Sequence, residues 1–194
     1  MVDIKKVIVA SAVVISSYFN PAAAEVKNTA ANKPAAPHDS LASIWQDFHS
    51  VVGKCTLKFP VAPEHISEKM TMPKEGYDLQ YDAYISTKDK KSVYMLLIAQ
   101  YPEFVDQSFA QVSLEGFLNG ILSNNPGNQL LHADLLLVNG YEALDFFIRT
   151  GAVYFKGRAI MVKNNLYLMA MECEVQHYDE GGYNFFISSF KLNK

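Results

Sequence analysis

The sequence is poor in the residues that build disulfide scaffolds, zinc sites and low-complexity chains. Among 194 residues it has 2 cysteines, 10 glycines and 8 prolines. Two cysteines are too few for a disulfide-dense fold or a site with four thiolate ligands, and the glycine and proline contents exclude a collagen-like architecture. Hydrophobic residues make up 49% of the chain and charged residues 19%. The chain can therefore bury a core, and it is not a charge-rich disordered protein.

An excess of charge of one sign is also missing. Seventeen lysines and arginines face 20 aspartates and glutamates, which gives a formal net charge of −3. Such a balance supplies no positive field for gripping nucleic acid or anionic lipid. We expect no nucleic-acid partner.

The common catalytic signatures are absent as well. The sequence contains no G-x-S-x-G, H-E-x-x-H, G-x-x-x-x-G-K, G-x-G-x-x-G or C-x-x-C motif. The five histidines are scattered along the chain, at His38, His49, His65, His132 and His177. His177 with Asp179 and Glu180 could bind a metal weakly, although a polar loop before a short helix explains the same residues. We therefore expect neither a metal nor a cofactor.

The N-terminus has the order of a signal peptide. Two lysines precede an apolar stretch from Val7 to Phe19, and the small residues Ala22 and Ala24 fit the signal peptidase positions. The apolar stretch is shorter than the roughly 20 residues that cross a bilayer. We expect residues 1–24 to be a cleaved signal peptide, with no stable membrane anchor afterwards, and the product to be periplasmic or secreted.

The segment after this leader, residues 25–38, is rich in alanine, asparagine, lysine and proline without an apolar period. This composition predicts a flexible tether. No second linker and no internal repeat follows, so residues 39–194 are predicted to form a single domain.

Hydrophobic periodicity and turn residues predict the elements of that domain. Helices are expected from Asp39 or Ser40 to about Ser50, over 106–123 and over 179–189, and strands over 54–59, 77–86, 92–101, 129–138, 141–150, 153–163 and 166–175. The last four strands are joined by Asn139-Gly140, Gly151-Ala152 and Asn164-Asn165, which suit two-residue hairpins and predict a meander. The fold class is therefore α+β: one antiparallel sheet of about seven strands with helices packed on it, similar to an α/β/α sandwich.

Counting outward from the three turns assigns each meander residue to a face of the sheet. One face is predicted to be the core, with Leu135, Phe146, Phe155 and Leu168 in a common interior; it also carries Leu131, Ala133, Leu137, Leu144, Ile148, Val153, Ala159, Met161, Leu166 and Ala170. The other face aligns Asp134, Asp145, Arg158 and Met171 in one row, and His132, Phe147, Lys156 and Cys173 in the next.

This ionisable row has two interpretations. In the catalytic one, Asp134 and Asp145 are paired carboxylates that raise one pKa for general-acid use, Arg158 positions an anion and His132 is a base. In the structural one, Arg158 lies between the carboxylates on a wet or partly covered sheet face and prevents their repulsion. We favour the structural interpretation.

The two cysteines, Cys55 and Cys173, also leave two possibilities. Outside the cytosol they could form a disulfide between the first and last strands, or they could be separate buried thiols. A catalytic thiol is disfavoured at Cys173, because Glu172 and Glu174 would oppose a thiolate.

Several short features of the chain are similar to the PsbP-like and Mog-type family of small α/β/α sandwiches. They are Phe59-Pro60 with Pro63 after the first strand, Gly140 at the meander turn, Leu166-Tyr167 opening the last strand, and Phe186 with Ser189-Phe190. The resemblance spans about residues 53–191. It implies a non-enzymatic binding or accessory role.

Three functions follow as expectations. The first is an exported, non-catalytic binding or accessory module that recognises a protein or an envelope component. The second is a small hydrolase built on Asp134, Asp145, Arg158 and His132. The third is a secreted, host-directed effector.

Overall fold

The computed structural model describes residues 45–72, 76–88 and 91–193. The predicted leader (1–24) and tether (25–38), and the start of the first predicted helix, lie outside these residues. The described elements, in chain order, are β1 (Gln46–Ser50), β2 (Cys55–Phe59), β3 (Glu64–Met72), β4 (Tyr77–Lys88), β5 (Ser92–Gln100), α1 (Ala110–Asn124), β6 (Asn128–Val138), β7 (Tyr141–Thr150), β8 (Val153–Val162), β9 (Asn165–Glu174), α2 (Glu180–Ser188) and β10 (Lys191–Leu192). Short 3-10 turns precede both helices.

Seven of these strands form one antiparallel sheet, in the order β3-β4-β5-β9-β8-β7-β6. A second, three-stranded antiparallel sheet has the order β1-β2-β10. The predicted α+β class and an antiparallel sheet of seven strands are confirmed. The predicted strand 54–59, however, lies in the second sheet as β2, and β3 is the seventh strand of the large sheet. No helix among the described residues is long and apolar enough to span a membrane.

The helix α1 covers one face of the large sheet over β6, β7 and β8. Phe117 of α1 shares a buried cluster with Phe146, Phe155 and Leu168, as the face assignment predicted. Leu135 does not join them, because it lies on the edge strand β6 and is 38% exposed.

Other leucines of β6 depart from the prediction for the same reason. Leu131 and Leu137 are exposed, and only Ala133 of this strand packs against the cluster under α1. A β-bulge between Leu130 and His132 also breaks the regular alternation of the strand.

The opposite face of the large sheet is covered, which corrects the expectation of an ionised side. The helix α2 and the three-stranded sheet pack there over a second cluster that includes Trp45, Tyr94 and Phe186. Sequence periodicity within the meander could not reveal this cover, because it comes from segments before and after the meander. The predicted ionisable row of this face lies on β6, β7 and β8, and a further carboxylate, Asp82, lies on the same face at β4.

The first predicted helix is wrong over residues 46–50, which form the strand β1. The apolar spacing of Trp45 and Phe48 fits a helix, but Phe48 instead packs on Phe59 of the neighbouring strand, with ring centroids 5.4 Å apart. Pairing with β2 through a turn at 51–54 outweighs local helical spacing.

The strand β3 was not predicted at all. Its sequence is mostly polar and the strand lies at the edge of the large sheet. A polar edge strand buries little on either face, so it lacks the hydrophobic alternation that identifies strands.

The third hairpin of the meander turns one residue earlier than predicted. Lys163 adopts a positive φ of 55°, and Asn164 is held by Tyr101, whose backbone N–H donates to its carbonyl at 2.8 Å. Arg158 consequently pairs with Met169 instead of Met171. The pairing moves by two residues, so every side chain keeps its predicted face.

Candidate functional site

The predicted ionisable row forms where β6, β7 and β8 lie side by side. Asp134 is opposite Asp145, and Asp145 is opposite Arg158, as counting from the turns predicted. Arg158 Nε donates to Asp145 Oδ1 at 2.6 Å, and Arg158 Nη2 donates to Oδ2 at 2.7 Å. This two-point geometry is the strongest form of arginine–carboxylate pairing.

The ion pair is half-buried, with side-chain exposures of 21% for Arg158 and 28% for Asp145. The hydrogen bonds from Arg158 to Asp145 raise the pKa of the guanidinium, while burial opposes this shift. Both carboxylate oxygens of Asp145 are therefore committed to a permanently charged partner. Arg158 pairs with Asp145 and does not lie between the two carboxylates, because Asp145 is the middle residue of the row.

The two remaining residues of the proposed catalytic set lie apart from this pair. Asp134 and His132 are exposed on the edge strand, and His132 is opposite Phe147. Within the described part of the chain, no hydrogen bond or ion pair involves either side chain. The structure thus brings Asp145 and Arg158 together without joining His132 to them.

The neighbouring row contains a lysine enclosed by aromatic rings. Lys156 Nζ lies 5.1 Å from the ring centroid of Phe147, 5.5 Å from that of Tyr178 and 4.7 Å from that of Tyr183. It also donates a 2.8 Å hydrogen bond to Tyr178 Oη. Burial lowers the pKa of Lys156, and the nearby Glu180 carboxylate counters this effect. The lysine joins α2 and its preceding loop to the sheet by cation–π contacts.

The two cysteines are free and buried, so the disulfide that we considered is not formed. Cys173 is opposite Ser92 at one end of β5. Cys55 lies beside Gly53, and Gly53 lies against Ile98 of β5. Ile98 is six residues from Ser92, which is about 20 Å along a strand. A disulfide needs Cα atoms within about 7 Å. Burial raises the pKa of Cys55 to about 12 and that of Cys173 to about 11.

The residues weighed as a weak metal group all have protein partners. Asp179 caps α2 by accepting from the backbone N–H of Gly182 at 2.9 Å, Glu180 lies 3.9 Å from Lys156, and His177 lies 3.4 Å from Glu174. Across 45–72, 76–88 and 91–193, no cluster of three or more potential ligands was found.

A cleft that sequence analysis did not identify lies at the other end of the sheet, between the large and small sheets. Its volume is about 460 Å³. Gln80, Gln100 and Asn165 form one row of its floor, in register across β4, β5 and β9. The next row contains Asp82 and Tyr167.

The other wall of the cleft comes from the small sheet and its turn. Val52 and Lys54 of the β1–β2 turn line it, together with Leu192 and Asn193 at the end of the chain. Tyr167 Oη donates a 2.9 Å hydrogen bond to the Gly53 carbonyl, which fixes this turn over the large sheet. The two walls are therefore held at a defined separation.

One buried carboxylate faces this cleft. Asp82 has a side chain only 5% exposed, and its Oδ1 lies 2.8 Å from His65 Nε2 on β3. The His65 ring stacks on Tyr84, with centroids 4.4 Å and planes 9° apart, and Tyr84 Oη lies 3.3 Å from Ser50 Oγ. The chain of contacts ties β3 to the small sheet.

The cleft could not be found from the sequence because its parts come from six separate strands and two turns. Gln80 and Gln100 stand near strand ends, where polar residues are typical of loops. The partner of Asp82 lies on the unpredicted strand β3. The only local sign of the cleft was a lysine in each of two turns, Lys54 and Lys163.

Comparison with known proteins identifies the fold without identifying a family. No protein-family model and no curated protein matches the sequence. Among solved structures, the chain is similar to cyanobacterial PsbP (CyanoP) from Synechocystis sp. PCC 6803, with a TM-score of 0.55 and 14% identity over 76% of this chain and 92% of that one.

Two further structures are more distant. A protein from Bacteroides thetaiotaomicron VPI-5482 has a TM-score of 0.41 and 8% identity, over 78% of this chain and 49% of that one. The protein PA94 from Pseudomonas aeruginosa has a TM-score of 0.34 and 10% identity, over 68% and 84%. The similarity to CyanoP confirms the expected PsbP-like fold, and at 14% identity it shows the fold alone.

Proposed function

We propose that the protein is an exported, non-catalytic binding module whose cleft takes an acidic segment of a partner protein. The observation that carries this proposal is the chemistry of the cleft: amide side chains on its floor and two lysines on its rim. Amides both donate and accept, so they suit the N–H and C=O groups of a peptide.

Two of the three floor amides are available to a ligand. Gln80 and Gln100 are exposed to solvent, and their side chains make no hydrogen bond within the described residues. A peptide entering the cleft can exchange their water contacts for direct hydrogen bonds while the apolar parts of Tyr141 and Tyr167 are covered.

The rim favours an acidic ligand. Lys54 and Lys163 both lie in turns at positive φ, 44° and 55°, so the backbone fixes where each side chain leaves the surface. Neither lysine has an ion-pair partner in the described part of the chain, whereas the carboxylate of Asp82 is already held by His65. Complementary charge would then speed association and select the partner.

Export rests on the sequence of residues 1–24, with its lysines, its short apolar stretch and its small residues before Glu25. Intact mass of the protein recovered after expression of the full gene tests this part. We expect a chain that begins at Glu25; an uncleaved chain in the cytosol would contradict export.

The hydrolase alternative has less support. It needs Asp134 and Asp145 to share a proton, but Asp145 gives both oxygens to Arg158. It also needs His132 close to the pair, and His132 instead lies opposite Phe147.

Affinity capture from the native extract tests the binding function. Three baits are compared: the wild-type protein, the double variant Lys54→Glu/Lys163→Glu, and the control Lys91→Glu in the turn of the β4–β5 hairpin. We expect one partner that wild type and the control retain and the double variant loses at least tenfold. A synthetic acidic peptide from that partner should bind with the same pattern.

Equal recovery of the partner by all three baits would contradict the cleft as the site. Recovery of no partner, together with a hydrolytic activity that Asp145→Ala abolishes, would favour the enzyme instead.

A further inference from the structure

The edge strand β6 carries an unusual surface. It is 11 residues long and its sequence, NQLLHADLLLV, contains no lysine, arginine or proline. Leu130 and Leu131 are 44% and 48% exposed, and Leu135 and Leu137 are 38% and 68% exposed. Long apolar edge strands readily pair with another strand, and proteins usually protect them with charge, proline or a cover.

The other edge of the same sheet is protected in that way. The strand β3 carries charged residues along its length, and three of its side chains reach across to β4: His65 to Asp82, Glu68 to the hydroxyl of Tyr81, and Lys69 to Asp78. Only the β6 edge presents leucines. The difference points to an occupant for β6.

The order of residues along β6 indicates what that occupant is. Around Ala133 the sequence reads Leu-Leu-His-Ala-Asp-Leu-Leu over 130–136, which is chemically symmetric when read in either direction, except that His132 is exchanged for Asp134. We propose that β6 pairs antiparallel with β6 of a second copy of this chain, about a two-fold axis at Ala133. Both chains then contribute the same surface, as a two-fold interface requires.

This register provides partners for His132 and Asp134, which have none among the described residues of the single chain. Residues directly opposite in an antiparallel pair have Cβ atoms about 4.5–5.5 Å apart. His132 of each copy therefore faces Asp134 of the other and can donate a ring N–H to its carboxylate. The contact occurs twice by symmetry.

The apolar residues match in the same register. Leu135 of each copy lies against Leu130 and Leu131 at the bulge of the other. The two seven-stranded sheets become one continuous antiparallel sheet, with α1 of both copies on the same side. The inference does not depend on the proposed cleft, whose floor is formed by β4, β5 and β9.

A charge exchange tests the register. The protein recovered from the full gene is compared with His132→Asp, with Asp134→His and with the double exchange His132→Asp/Asp134→His, by sedimentation over a concentration series. Wild type is expected to reach twice the chain mass. His132→Asp places like charges opposite each other twice and should weaken dimerisation about tenfold or more. The double exchange restores the pairing and should return the dissociation constant to within about threefold of wild type.

Hydrogen exchange provides the second measurement. The outward backbone N–H groups of β6 should exchange more slowly as the protein concentration rises, because the second copy covers them. Trp45 fluorescence verifies that each variant is folded.

Three outcomes overturn the inference. The wild type could sediment as a monomer at every concentration. The double exchange could fail to recover what the single changes lose. Protection of β6 at all concentrations in a monomer would assign the edge to another segment of the same chain, such as residues 25–44.

Discussion

The two faces of the large sheet are packed by different chemistry. The face under α1 is mainly aliphatic, with Leu114, Leu144 and Leu168 among its buried residues. The opposite face is rich in aromatic rings that meet edge-on, such as Trp45 with Tyr94 at 5.0 Å and Trp45 with Phe185 at 5.3 Å. One long helix packs on the aliphatic face. A short helix and a small sheet pack on the aromatic face, and large rings fill the space between these elements of different shape.

A glycine marks close approach on each face. A Cβ at Gly157 would lie 2.6 Å from the ring of Phe146 under α1. A Cβ at Gly182, in the first turn of α2, would lie 2.7 Å from Tyr94 Oη on the other side. Packing is therefore tight on both faces of the large sheet, and the two faces can be tested with matched substitutions.

Phe186→Ala should have the largest effect, because Phe186 is fully buried between Trp45, Phe59 and Tyr94. We expect the free energy of unfolding to fall by about 3–5 kcal/mol. Trp45 is the single tryptophan of the chain and contacts this residue, so its emission should shift in the folded variant. Unchanged emission and stability would show that the aromatic layer does not hold α2 in place.

Leu114→Ala tests the other face. Leu114 is fully buried in α1, and its truncation should cost about 2–5 kcal/mol in chemical denaturation followed by circular dichroism. The emission of Trp45 in the folded state should stay the same, because Trp45 lies across the sheet. Val112→Ala, on the partly exposed side of α1, is the control and should cost less than about 0.5 kcal/mol.

The ion pair on the aromatic face should have an intermediate effect. Arg158→Met leaves Asp145 half-buried without its partner, and we expect a loss of about 1–3 kcal/mol. Replacing both residues, as Arg158→Met/Asp145→Leu, should cost less than the single change, because no charge is then left unpaired. A larger loss in the double variant would argue that the pair contributes net stability.

The smallest effect at neutral pH concerns the two thiols. The pKa of Cys55 is raised from 9.0 to about 12 and that of Cys173 to about 11, so the folded state holds more protons than the unfolded state above pH 9. Their contribution to stability is complete below pH 9 and is lost as the pH rises through this window. Stability measured from pH 8 to 11 should fall, and less steeply in Cys55→Ala/Cys173→Ala relative to its own value at pH 8.

A thiol reagent checks the same residues directly. At pH 8 the thiols of the folded protein should react slowly. In the denatured protein two thiols per chain should react without reductant. If the two thiols reacted only after reduction, Cys55 and Cys173 would form a disulfide, in contradiction to the structure.

Several parts of the fold and site were predictable because they depend on neighbours in sequence. Asn139-Gly140 and Gly151-Ala152 set two hairpins of the meander, and those turns placed Asp134 opposite Asp145 and Asp145 opposite Arg158. Apolar residues at helical spacing, such as Ala110, Leu114 and Phe117, likewise form the buried side of α1. In each case one short segment contains all the information.

Other parts depended on contacts between distant segments. The residues of β1 have helical spacing, but β2 offers them a pairing partner. The third turn shifted because Asn164 is bound by Tyr101, more than sixty positions earlier in the chain. The polar strand β3 carries no periodic signal, so the His65–Asp82 contact and the cleft beside it were not predictable.

The sequence by itself determined the order of the meander, the face of each of its residues and the charged row at one end, because hairpin turns and side-chain alternation are local rules. Only the tertiary structure decided what covers the aromatic face and which strands form the two edges of the large sheet. Those outcomes depend on where the two ends of the described chain pack: β1, β2, α2 and β10 meet over the aromatic face, and none of them extends along the leucines of β6.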